Sequence, residues 1–152
     1  MRHKAKPVWD VLISKADMEL RGAKNMFDAV STRKNKAELR HTKLNELLVE
    51  YRGRLNNILS RAHNPPEAGH YRQFIVQLEA LKLNSSEDLQ RIRQDHDDVQ
   101  KNLIAADQEK LKLVRLGHRA RNRLLSQRSA YETKELEAQS IVQFNLNSRP
   151  NS

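Results

Sequence analysis

A seven-residue apolar repeat runs along most of this chain and is broken once. The break is His63-Asn64-Pro65-Pro66-Glu67-Ala68-Gly69, the one internal place where two prolines and a glycine cluster. Proline has no backbone N–H to donate, and its ring clashes with the preceding turn. A helix that reaches this stretch therefore ends in it. The pattern predicts one helix over about 8–62, a turn over about 63–69, and a second helix over about 70–144. The fold class is all-α: two long helices in an antiparallel coiled-coil hairpin, forming one unit.

The repeat is explicit in the first helix. One heptad position, taken as d, holds Trp9, Ala16, Ala23, Val30, Ala37, Leu44, Tyr51 and Ile58. The other, taken as a, holds Ile13, Leu20, Phe27, Lys34, His41, Leu48, Leu55 and Ala62. A seam sustained this long belongs to a coiled coil and not to a helix lying on a globular surface. The second helix carries a weaker seam. Its d series is Tyr71, Leu78, Ser85, Ile92, Val99, Ala106, Leu113 and Ala120, and its a series is Ile75, Lys82, Leu89, His96, Leu103, Lys110, Gly117, Leu124 and Tyr131. Beyond Tyr131 the pattern frays, extended only by Ala138 and Ile141. The segment 145–152, rich in Asn and Ser with Pro150, is expected to be disordered.

A short turn forces antiparallel packing, and the charges then suggest a register. In the favoured one Leu55 faces Leu78, Leu20 faces Leu113, Phe27 faces Ala106 and Ala16 faces Gly117, so large often meets small. The flanking e positions then pair Asp10 with Arg121, Lys24 with Asp107, Glu38 with Arg93 and Arg52 with Glu79. The g flank offers Arg33 with Asp95 and Arg40 with Asp88. A register one heptad tighter sets Arg52 against Arg72 and Asp17 against Asp107. Exposed pairs contribute only ~0.2–1 kcal/mol each, so they select a register more than they stabilise it. Lys34 and His41 mark a weak point in mid-seam.

Composition narrows the functional classes. Aromatic residues make up 5% of the 152, and charged residues of alternating sign make up 31%, which suits solvated helices and not a thick core. Without cysteine there is no thiolate chemistry. No apolar run approaches the ~20 residues that span a bilayer. The basic start, Met1 to Pro7, is not followed by a secretory apolar stretch, because Asp10, Lys15 and Asp17 intervene. The net charge of +9 permits nucleic acid, anionic lipid or an acidic protein as partner.

Two features depart from a plain two-helix coil. Near the turn the g flank changes from charged to apolar, with Leu47 on the first helix and Phe74 and Leu81 on the second. In the favoured register Leu47 lies opposite Leu81 and Arg54 opposite Phe74. With Leu44, Tyr51 and Leu78 alongside, these residues make an apolar patch that either thickens the core or docks a partner. The second feature is a change of charge along the second helix. Acids dominate from Glu87 to Glu109, and none occurs from Lys110 to Arg128, where Lys112, Arg115, Arg119, Arg121 and Arg123 also fall. This basic end lies beside the basic N-terminus and reads either as a solvated face or as a surface for something negative. Asp95-His96-Asp97-Asp98 is not a metal site, since consecutive helical residues diverge by about 100°. No phosphate loop, nucleophile elbow or HExxH is present. The chain is read as non-enzymatic, with no cofactor.

The tip carries a more specific signature. Leu47-Leu48-Val49-Glu50-Tyr51-Arg52 followed by Leu55-Asn56, then Tyr71-Arg72-Gln73-Phe74-Ile75 followed by Leu78-Glu79, resembles the FliJ family of flagellar export proteins. That family shows Tyr-Arg and Leu-Asn before its turn and Tyr-x-Gln-Phe-Ile-x-x-Leu-Glu after it. The match is strongest over residues 44–82. The resemblance implies a component of the flagellar type III export apparatus, similar to the central coiled coil of the gamma subunit of rotary ATPases. It further implies that the end bearing both termini enters the hexameric export ATPase FliI, that the chain contacts the export gate protein FlhA, and that it helps recycle export chaperones. It implies a cytoplasmic protein, peripheral at the inner membrane. The family's gate-binding pattern falls on Leu44, Leu47, Tyr51, Phe74, Leu78 and Leu81, with Arg40 and Ser85 at its edge. Arg115, Arg119, Arg121, Arg123 and Arg128 would face the ATPase. Two alternatives stay open: the equivalent stalk of a virulence secretion system, and a basic hairpin that binds nucleic acid, which no aromatic-basic interleaving supports.

Overall fold

The computed structural model describes residues 5–61 and 66–148. It contains two long helices packed against each other, α1 (Ala5–Leu59) and α2 (Glu67–Asn147). Pro7 falls in the first turn of α1, where the N–H it lacks would have no intrahelical partner. At the other end Ser60 N donates to Asn56 O (3.1 Å) and Arg61 N to Ile58 O (3.2 Å), which tightens the last turn. Positions 62–65, including Ala62 and Pro65, lie outside the described residues. On the far side Gly69 N donates to Pro66 O (3.3 Å), and Glu67 sits in the first turn of α2, where a carboxylate complements the helix dipole. α2 continues to Asn147, so 145–147 are helical where disorder was expected from 145.

The seam is where the repeat puts it. Every a and d position from Trp9 to Ile58 and from Tyr71 to Leu124 is buried or half-buried, and Ala68 extends the a series to the start of α2. The polar members are accommodated individually. Lys110 reaches out of the seam to Asp17 (Nζ–Oδ1 2.8 Å), and His96 lies against the ring of Phe27 (centroids 5.1 Å apart). Ser85 is buried.

The chain divides into two compact units, one of residues 21–105 and one of residues 1–20 with 106–152. In both, the register is one heptad tighter than the charges suggested. In the second unit, a Cβ added to Gly117 would touch Trp9 Cβ at 3.4 Å, so Trp9, and not Ala16, stands over this glycine. In the first, Phe27 touches His96, and Tyr51 touches Tyr71 with ring centroids 5.7 Å apart. The favoured register would separate each of these aromatic pairs by roughly 15 Å along the axis, at 1.5 Å per residue. The tighter register brings Ala68 into the seam opposite Ile58, and both are buried. In the looser one Ile58 would face Ile75, and Ala68 would face position 65, the first of the two prolines. The charges do not distinguish the registers, because their arms are long. Arg52–Glu79 (2.8 Å) and Glu38–Arg93 (3.7 Å) form in the tighter register as well.

Candidate functional site

The tip of the unit 21–105 combines a firm core with an exposed apolar flank. Leu48, Ile75 and Leu78 form a buried cluster, and Leu44, Tyr51 and Leu55 pack against it half-buried. Around this cluster the g positions project outward. Leu47 is 37% exposed, Phe74 38% and Leu81 53%. The six residues expected to share one binding surface therefore divide in two. Leu47, Phe74 and Leu81 face solvent, while Leu78 is core and Leu44 and Tyr51 bridge the two. The division follows from the heptad, since a and d positions point into the seam and g positions lie beside it. Arg40 is exposed and Ser85 buried.

An aromatic group stiffens this flank. Phe74 meets Tyr51 edge-on with centroids 4.7 Å apart, and Tyr51 also leans on Tyr71. Arg54 lies over the Tyr51 ring, 5.1 Å from its centroid, and bonds Glu50 at 2.5 Å. A hydrogen bond to the Tyr71 side chain, aided by Glu50, raises the Arg54 guanidinium pKa above its ordinary value. Tyr51, Arg54, His70, Tyr71 and Phe74 line a shallow hollow at the surface. Such an arrangement offers flat apolar area with a fixed cation at its margin, which suits docking of a protein surface more than catalysis. The g-flank pattern gave Phe74; Arg54 was set opposite it only in the looser register, and in the tighter one the g residue opposite Phe74 is Leu47. The roles of Tyr71 and His70 depended on the tighter register and were not seen in the sequence.

The basic end belongs to the other unit. Arg115, Arg119, Arg121, Arg123 and Arg128 are all exposed on α2. Lys112, Arg115 and Arg119 share a surface hollow with Gln108, Leu111 and Leu116, whereas Arg128 bonds Glu132 on its own helix (3.3 Å). One feature here was missed in the sequence. Leu12 and Leu116, 39% and 36% exposed, occupy g positions of α1 and α2, so this end too has apolar residues beside the seam. Extending the g-flank reading to residue 116 would have found it. His96 points into the seam while Asp95, Asp97 and Asp98 are exposed, so these four residues do not converge. Among the described residues no cluster of His, Asp and Glu is close enough to hold a metal ion, and no helix is long and apolar enough to cross a membrane.

Comparison with known proteins gives one match. The model of the family described as "Flagellar FliJ protein" matches residues 10–148. The match spans both helices and the turn, and so reaches well beyond the tip motif. No curated protein and no solved structure matches the chain.

Proposed function

The chain belongs to the FliJ family, components associated with flagellar type III export, and from that premise we propose that it acts as a non-enzymatic stalk between the export ATPase and the export gate. The observation that carries this reading is the exposed flank of Leu47, Phe74 and Leu81 set on a buried core at the tip. An apolar surface on a rigid support has little conformational entropy to lose on docking. This flank is the surface for the gate protein, FlhA-like in kind. The exposed arginines from Arg115 to Arg128 are the surface for the export ATPase, a FliI-like hexamer, and favour its assembly. The protein works in the cytoplasm at the inner face of the membrane and assists the recycling of export chaperones. It holds no cofactor.

The test is binding of the full chain to the cytoplasmic part of the gate protein, together with ATP hydrolysis by the cognate ATPase. Phe74→Ala and Leu81→Ala are expected to weaken gate binding at least about tenfold, a loss of ~1.4 kcal/mol, with helicity unchanged. The ATPase is expected to be stimulated, and charge reversal of Arg115 and Arg119 to lessen that stimulation. Gate affinity untouched by both tip variants would remove the tip from the proposal. An ATPase indifferent to the chain would remove the other end.

A further inference from the structure

The end of α2 continues the seam beyond its partner helix. Trp9 stands over Gly117, so from Leu124 onward no described residue of α1 lies opposite. The face that packs on α1 upstream nevertheless goes on as Leu124, Tyr131 and Ala138 in a, with Ile141 in d and Val142 beside it. Along this face Leu124 is half-buried, and beyond it Tyr131 is 68% exposed, Ile141 61% and Val142 57%. Such a face is expected to be covered when a complementary surface is available.

We propose that residues 121–147 of α2 pair in antiparallel sense with the same segment of a second copy of the chain. The charges carry the choice of occupant. The first half of the segment is basic (Arg121, Arg123, Arg128), and the second half is mainly acidic (Glu132, Glu135, Glu137), with Lys134 between. Antiparallel pairing sets basic half against acidic half twice over, as two-fold symmetry requires, whereas parallel pairing sets like against like. With a positions facing d positions, as in the hairpin, Leu124 meets Ile141 of the second copy. Gln127 then meets Ala138, and Tyr131 meets Lys134. In the e flank Arg128 meets Glu135, and the symmetry repeats each contact. Because this is also the end assigned to the ATPase above, pairing and ATPase engagement exclude each other, although the pairing itself does not rest on that assignment.

The experiment is sedimentation equilibrium of the full chain over a range of concentrations. A reversible dimer is expected. Arg128→Glu and Glu135→Arg should each weaken it by about tenfold, since each turns two symmetric attractions into repulsions. The combined variant, with both charges exchanged, should return to near the parental affinity. Arg128 also bonds Glu132 within its own helix, so circular dichroism of each variant is compared with the parent; the combined variant restores the pairing charges but not that intrahelical bond, which separates the two effects. A chain monomeric throughout, whether or not its end binds the ATPase, overturns the proposal. So does a dimer indifferent to Arg128→Glu, or one that the combined variant fails to restore.

Discussion

At the scale of single residues, the seam is decided by a few side chains. Gly117 sits in mid-helix under Trp9 and Ile13, and an added Cβ would lie 3.4–3.5 Å from them, in ordinary contact. Gly117→Ala should therefore raise stability by about 0.5–1 kcal/mol through helix propensity, measured by urea denaturation. Gly117→Leu should displace Trp9, the single tryptophan, and shift its fluorescence to the red. His41 is the opposite case. Its Nδ1 is buried without a hydrogen-bond partner in a half-buried seam position. An unmet polar atom costs about 1–3 kcal/mol, so His41→Leu should stabilise the fold, with a higher midpoint in thermal melting as the readout. Leu78 and Phe74 separate core from surface. Leu78→Ala should cost about 2–5 kcal/mol of stability as a cavity forms, while Phe74→Ala should cost less, about 0.5–1.5 kcal/mol for its contact with Tyr51. Equal losses for the two would mean that Phe74 is core as well.

At the scale of elements, α1 and α2 differ in how much of their length is supported. In α2 the residues from Leu125 to Asn147 are all exposed, whereas the stretch around Ile75, Leu78 and Leu89 is buried against α1. Isolated helices in water are marginal, and packing supplies most of their stability. Amide hydrogen exchange of the dilute chain should therefore be fastest after Leu125 and slowest around Leu48 and Leu78. Uniform protection along α2 would show that the exposed end is held by something other than α1. The flanks follow the same logic. The repeat showed which positions enter the seam. It also pointed to the apolar g residues at the tip, because a leucine or phenylalanine beside a seam stands out in a chain so rich in charge. It did not show that Leu44 and Tyr51 are half-covered and Leu78 wholly so, since that depends on what the opposite helix presents.

At the scale of the whole molecule, the register is the quantity to test. The chain has no native cysteine, so introduced pairs report without background. Ala37→Cys with Leu89→Cys, both buried positions, should form a disulfide readily under mild oxidation, because the tighter register sets them face to face. Ala37→Cys with His96→Cys should not, although the looser register would favour it. The reverse result would restore that register. The two helices, their antiparallel sense, the seam and the family motif at the tip are legible in the residues alone. These depend on local rules: proline ends a helix, and a seven-residue apolar period needs a partner along its whole length. Which layer faces which is set by packing between the helices. The flexible arms of Arg52, Glu79, Glu38 and Arg93 span a heptad and form the same pairs in either register. Short, stiff contacts do not stretch in that way. Trp9 over Gly117 and the touching rings of Tyr51, Tyr71, Phe27 and His96 fit one register alone.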